Sequence, residues 1–362
     1  MKIFLYLLYP LSLLYQFLFW WIQRGITSFH LPHVLVISVG NLTVGGTGKT
    51  PFVQYLVRFF KETYPGYAIT ILSRGYKAEK SKEGGILPNG LTPKLYGDEP
   101  SQHKEMFPDV QVIIGRDRKN SFLLYNQIKS KKHIVILDDG FQHKTLSRDF
   151  DFVLLDANSP FGNGLTIPLG FLREPISHSK RADAMVFTKI TSENKIHLDK
   201  HKKVLSQKRI SVPIFHSSFQ AEVKEVLLNQ NLIQKSFKSK LDSKYFLVTG
   251  VGNPKNVYET AKSTLIPESI RTKFFPDHFE YTTESLLSLL NEIKTDEALI
   301  TTEKDWIKMR TDIRFIEELR KKNTTVLLLL IQVSVDEDKE LKSMLAGLVS
   351  TYESKIGPAS KN

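Results

Sequence analysis

The chain of 362 residues carries 50 Lys+Arg against 38 Asp+Glu, a formal charge of +12, with 41% hydrophobic and 24% charged residues. That length allows one large or two medium cores, and the balance is that of a folded protein suited to an anionic partner. Zero cysteines exclude disulfides and thiolate metal sites and fit a reducing compartment.

The first predicted element is an uncharged run from Ile3 to Ile22, flanked by Lys2 and Arg24. As a helix it would be ~30 Å long, about the thickness of a bilayer core. Pro10 is expected to kink it, Ser12 and Gln16 interrupt its apolar surface, and Trp20-Trp21 suit the lipid–water boundary. No small-residue cleavage site follows, which argues against a cleaved signal peptide. A wholly apolar first helix with a double Trp rarely opens a soluble core. Residues 1–25 are therefore expected to attach to a membrane, whether by spanning it or by lying in the interface. The surplus positive charge then fits a lipid surface. No basic stretch interleaved with aromatics marks nucleic-acid binding.

Next come short apolar runs at 33–40, 67–73, 110–115, 133–139, 151–156 and 183–189, with room for crossover helices at 50–63 and 117–130. That alternation predicts a parallel α/β sheet over residues 26–218, closed by the run at 211–215. Two β-rich runs around Asn229-Gln230-Asn231 predict a hairpin joining two domains, residues 219–239. A second alternation, with runs at 244–250, 272–276, 297–302 and 325–333, predicts a smaller α/β domain over 240–362. Lysine clusters at 195–209 and 235–244 read as solvated faces.

Chemistry concentrates after the strands. "NLTVGGTGKTP" sits between the first buried strand and a helical pattern, the context a phosphate-binding loop requires. Gly45, Gly46 and Gly48 let the backbone curl so that N–H groups from Val44 to Thr47 face phosphate oxygens. Lys49 offsets charge, Thr50 offers a hydroxyl to Mg2+, and the helix N-terminus adds its dipole. Thr43 stands where the common spacing has glycine, and it needs only an extended entry into the loop.

"HIVILDDGFQH" ends a strand in Asp138-Asp139, where one carboxylate would hold Mg2+ directly or through water. Capping of the next helix is the alternative for one of them. His143 either orients a carboxylate or caps. Asp98 and Glu99, before Pro100, read alone as a helix start. Arg74, Arg116, Arg118 and Arg173 lie on loops after strands and suit phosphate recognition, though each alone is also an ordinary surface arginine. In the second series, Asp277-His278 and "TTEKDW" follow strands. "VTGVGNP" lacks the third glycine of a dinucleotide fingerprint and reads as a tight strand–helix turn.

In series, "SVGNLTVGGTGKTP", "LSRGY", "GDEP", "LDDGFQH", "PLGFLREP", "RADAMVFTK", "GVGNP", "FPDHFEYT" and "TEKD" resemble the tetraacyldisaccharide 4'-kinase family, the lipid A kinases of Gram-negative bacteria. The resemblance runs from the apolar N-terminus to about residue 310, and Thr43 is what that family shows. It implies transfer of the ATP γ-phosphate, with Mg2+, to the 4'-hydroxyl of an acylated glucosamine disaccharide 1-phosphate. It implies a P-loop NTPase-type sheet domain with a smaller α/β domain and a membrane helix, at the cytoplasmic face of a bacterial inner membrane. No obligate protein partner is expected.

Residue by residue, the resemblance makes Asp98 the general base with His278 its partner. Thr43 to Thr50 bind nucleotide, and Thr50, Asp138, Asp139 and Glu174 are metal ligands. Asn41, Arg74, Tyr76, Arg118, His143 and Arg173 become substrate contacts. Where the family often carries a second histidine, this chain has Phe279. The rival class is a membrane-associated ATPase switch of the partitioning type. Its signature lysine before the glycine pair is Val44 here, and it accounts for neither "GDEP" nor a second domain. A third class, a catalytically dead lipid-binding adaptor, sits poorly with the presence of Lys49, Thr50, Asp98 and both tandem aspartates.

Overall fold

A computed structural model describes residues 9–90, 93–229, 232–237 and 243–356. Positions 3–8 of the apolar run, Gln230 and Asn231 of the predicted hairpin turn, and part of the 235–244 lysine cluster lie outside them. The described strands are β1 (Leu35–Asn41), β2 (Ala68–Ser73), β3 (Gly85–Ile86), β4 (Gln111–Ile114), β5 (His133–Asp138), β6 (Phe150–Asp156) and β7 (Ala184–Thr188). They continue with β8 (Ile214–Leu227), β9 (Ile233–Ser236), β10 (Lys244–Thr249), β11 (Ser269–Phe274), β12 (Glu297–Thr302) and β13 (Val326–Val335).

These 13 strands form one sheet in the order β11-β10-β12-β13-β8-β7-β6-β1-β5-β2-β4-β3, with β9 beside β8. Both halves are mostly parallel, as buried hydrophobic strands joined by helices should be. The join is β8, a strand of 14 residues. Its first residues run parallel to β7, Met185 facing Ile214, and the rest runs antiparallel to β13, Val335 facing Ser217 through Val326 facing Val226. One strand thus closes the first half and opens the second.

Alternation along the strands sorts side chains to two faces. Leu35, Ile37 and Val39 of β1 meet Phe52, Leu56, Val57 and Phe60 of the helix Lys49–Thr63 on one side. Val36 joins Leu72, Val135 and Leu137 on the other. Each such fully buried aromatic contributes roughly 2–3 kcal/mol by removal from water. The C-terminal helix Asp338–Ile356 follows the second half in sequence but packs on the first, placing Leu341, Leu345, Val349 and Tyr352 in the same cluster as Phe52. The second half has its own core around Phe246, Leu299, Trp306, Phe315 and Leu328.

The first described helix, Tyr9–Arg24, has its polar residues turned toward the protein. The Ser12 hydroxyl donates to Thr166 O at 3.1 Å, the Tyr15 hydroxyl to Arg173 O at 2.9 Å, and the Gln16 amide to the Thr166 hydroxyl at 3.0 Å. Spacings of three and four put these groups on one stripe. The opposite face leaves Leu14, Phe17 and Trp21 exposed, Trp21 by 65%. Pro10 is the second residue of the described part of this helix. Among the described residues, no helix is long and apolar enough to cross a membrane.

Candidate active site

Strand register brings the loop and the tandem aspartates together. β1 lies between β5 and β6, with Val39 facing Asp138, two residues before Asn41 opens the loop. Asn41 is buried, and its side-chain amide donates to Thr43 O at 2.7 Å. Thr43 pairs with Leu172, and Val44 N donates to Phe171 O at 2.8 Å, so the entry strand is extended and braced. The Thr188 hydroxyl donates to Thr47 O at 2.8 Å, and the Lys189 ammonium reaches Gly46 O. Gly45 and Gly46 face open space.

Gly48 begins the helix Lys49–Thr63 with φ at 83°, in the left-handed region, and a Cβ there would meet the Phe219 ring at 2.7 Å. Only glycine satisfies both constraints. No side chain caps this helix, which leaves its first N–H groups available to an anion.

Lys49 lies 3.5 Å from Asp139, whose two carboxylate oxygens also accept from Arg173 at 2.9 Å. Burial opposes the Asp139 charge, yet Lys49 and then Arg173 outweigh it and hold the carboxyl at about 2. Asp139 has φ at 55°, so the chain turns sharply as it leaves β5. Arg118 is buried beneath this turn, its guanidinium donating to Asp139 O at 3.0 Å and Asp138 O at 3.3 Å. Burial lowers it to about 10, so it stays charged at neutral pH.

Asp138 is buried and meets the buried His103 ring at 3.3 Å through Oδ2. Its Oδ1 is buried without a hydrogen-bond partner. Glu99 is held close to this group: burial and then Asp138 push its carboxyl up, against the pull of Lys49. Among the described residues, no three His, Cys, Asp or Glu side chains are arranged to hold a metal ion by themselves.

The remaining candidates separate. Glu174 is buried, with its oxygens taken by the Arg181 guanidinium at 2.8 Å, the Gln142 amide at 2.8 Å and the His178 ring at 3.2 Å. It joins Asp139 only indirectly, because Arg173 also bonds Gln142 at 3.2 Å. His143 packs in the turn after Asp139, its ring 2.6 Å from the Thr145 hydroxyl, and burial and then Arg118 push it down to about 3. Arg74, Arg116 and Tyr76 are exposed.

Burial opposes charge on Glu174, but the His178 and Arg181 contacts prevail and depress it from 4.5 to about 2. A depressed carboxyl adds stability that is fully present above its unfolded value and is lost as pH falls through the folded one. Melting temperature is therefore expected to fall between pH 5 and about 2, with Glu174→Gln melting lower than the parent at neutral pH and showing less of this acid slope. Identical slopes in the two proteins would remove this residue from the account.

A second constellation comes from both halves of the sheet. Asp98 starts the helix Asp98–Met106, after Gly97 with φ at 96°. Its Oδ2 lies 2.9 Å from His278 Nδ1, and the Tyr76 and His278 rings stand edge to face with centroids 6.0 Å apart. Lys308 Nζ, which the sequence did not single out, lies 2.9 Å from the same Oδ2. Glu99, His103, Gln142 and Lys189 were missed likewise. The signal for Glu99 and His103 was their place one helical turn apart beside Asp98, whereas Lys308 carried no local signal.

Fold and site define an α/β protein with a glycine loop between a central strand and a helix of a mostly parallel sheet, and a carboxylate–histidine pair that joins its two halves. The chain belongs to the tetraacyldisaccharide-1-P 4'-kinase family, whose pattern matches residues 4–350. It is 58% identical, over the full length of both chains, to the tetraacyldisaccharide 4'-kinase of Leptospira biflexa serovar Patoc. It is 34% identical to that of Halothermothrix orenii over 86% of this chain and 83% of the relative. Among solved structures it resembles LpxK from Aquifex aeolicus in complex with ATP, with a TM-score of 0.72, 27% identity, and coverage of 95% of this chain and 99% of that one.

Proposed function

We propose that this protein transfers the γ-phosphate of ATP to the 4'-hydroxyl of a tetraacylated glucosamine disaccharide 1-phosphate, a step in lipid A synthesis, at the cytoplasmic face of a bacterial inner membrane. The observation that carries this reading is the Asp98–His278 contact of 2.9 Å, next to Glu99, whose carboxyl feels the charges of Asp138, Lys49 and Asp139. A sugar hydroxyl is a weak nucleophile, so a carboxylate must take its proton as the phosphoryl group moves. In this reading Asp98 takes the proton, with His278 orienting the carboxylate. Lys49 and the loop N–H groups offset charge on the transferred group, which is where most of the acceleration arises.

The unpartnered Asp138 Oδ1 fits a Mg2+ ion that takes its other ligands from phosphates and water, with the Thr50 hydroxyl a further candidate, whereas both Asp139 oxygens are already held by Arg173. When bound, the ion supplies charge neutralisation to the phosphates. Glu174 supports this edge by fixing Gln142. Exposed Arg74 and Tyr76 are free to meet the disaccharide, while Asn41, Arg118, His143 and Arg173 shape the turns beneath it.

Exposed apolar residues on the first helix, with Phe171 exposed by 59% on the loop it grips, support a membrane-facing surface. Replacing Phe17 and Trp21 together by Ser is expected to weaken binding to anionic phospholipid vesicles at least tenfold in flotation, since each large aromatic contributes roughly 1.5–3 kcal/mol. Unchanged flotation would remove the helix from the membrane reading. The kinase reading itself is tested with γ-labelled ATP and tetraacyldisaccharide 1-phosphate in detergent micelles. Label is expected in the lipid; ATP hydrolysis with no labelled lipid would overturn it.

A further inference from the structure

We propose that Lys308 is a positioning residue for the Asp98 carboxylate, an inference that rests on Asp98 being the base. Its ammonium makes two contacts that matter together. One is the 2.9 Å ion pair with Asp98 Oδ2, the oxygen that also meets His278. The other is a 3.2 Å hydrogen bond to Phe279 O. Phe279 N in turn donates to Pro276 O, and His278 N to Gly250 O, in a turn where His278 adopts φ of 63°. One cation therefore ties the base to the turn that carries its histidine. With both cationic and imidazole contacts on Oδ2, the carboxylate is fixed in rotation, and Oδ1 is the oxygen left to face an incoming hydroxyl.

The helix that presents Lys308 is itself held rigidly. Glu303–Met309 is capped by Thr302, whose hydroxyl accepts from Asp305 N at 3.2 Å. Asp305 is buried and accepts from the Thr249 hydroxyl at 2.7 Å, Gly250 N at 3.1 Å and the Tyr281 hydroxyl at 3.1 Å. Against it packs Asp98–Met106, whose positions 98, 102 and 105 share one face. Gln102 bonds Glu303, and Glu105 accepts from Arg310 at 2.7 Å. Asp98 with Lys308 is the end of this polar seam at the start of the helix Asp98–Met106. The Lys308 side chain is only 11% exposed, so water does not replace its partner and the pair persists.

The test is a double-mutant cycle with steady-state kinetics on the full chain. Lys308→Met keeps the apolar stem and removes the charge. It is expected to lower kcat roughly 10- to 100-fold, the worth of one charge-assisted contact, with KM for ATP unchanged. Lys308→Arg, which keeps the charge, is expected to recover most of the loss. In an Asp98→Asn background, Lys308→Met is expected to cost less than threefold, because the group it positions is gone. Should Lys308→Met fail to melt cooperatively, Lys308→Gln carries the same comparison. Parental kcat in the neutral variant, or an equal loss with and without Asp98, would overturn the positioning role. Parental activity of Asp98→Asn alone would instead overturn the base assignment on which it rests.

Discussion

Replacing Asp98 by alanine is expected to lower lipid phosphorylation by roughly 100- to 10,000-fold, the usual contribution of a general base, while ATP binding persists. The reason is where Asp98 sits. It opens a helix whose next residue, Glu99, is near enough to Asp138, Lys49 and Asp139 for their charges to act on it. Asp98, the proposed base, is thus one residue from the group around the glycine loop, yet its own contacts run to the other half of the sheet, to His278 and Lys308. Alanine at 98 removes the proton acceptor and leaves that seat intact. A nucleotide-binding measurement beside the labelled-lipid assay separates the two. A variant that keeps more than a tenth of parental transfer would leave the proton to another acceptor.

His278→Ala is the milder companion of that change, because the carboxylate remains and loses only an orienting partner. The same logic ranks the groups around the seat by what they touch. Lys189 and Thr188 hold the loop through the Gly46 and Thr47 carbonyls, so they act on its shape. Arg118 acts on the turn after β5 through two backbone oxygens.

Local pattern sufficed for most of the parallel strands and the loop, because buried parallel strands are short apolar runs and a glycine loop is contiguous in sequence, but it missed β3 and split β8 at 218, where one strand runs from Ile214 to Leu227. The nine motifs in series carried the family, which their order specifies far better than any one of them. What escaped was long-range. Nothing in "TTEKDWIKM" says that Lys308 faces Asp98, since that pairing depends on β8 turning from the first half into the second. The apolar N-terminal run pointed to lipid, but sequence alone did not say that Ser12, Tyr15 and Gln16 would grip the loop carrying Thr166 and Arg173. Ser12 and Gln16, read as interruptions of an apolar surface, form with Tyr15 its docking stripe. The packing of Asp338–Ile356 on the first core was equally hidden, because an amphipathic helix does not specify which core it will cover.

Lys49→Ala is expected to reduce transfer by roughly 100- to 1,000-fold, the scale of losing one preorganised charge contact to a transition state, with little loss of fold. Removing one partner of a buried ion pair ordinarily strands the other at a cost of about 3–5 kcal/mol. Here the stranded group has other support. Asp139 keeps both of its 2.9 Å bonds from Arg173, and Arg118 still holds the peptide carbonyl of the same residue. The Lys49 contact is the longer one at 3.5 Å. Arg173→Ala should show the opposite balance, with the larger fall in melting temperature, because it removes the shorter contacts and frees Gln142 as well. Calorimetric melts of the two variants beside their transfer rates decide the matter. A Lys49→Ala protein that melts as low as Arg173→Ala would mean that Lys49 serves the fold as much as the chemistry.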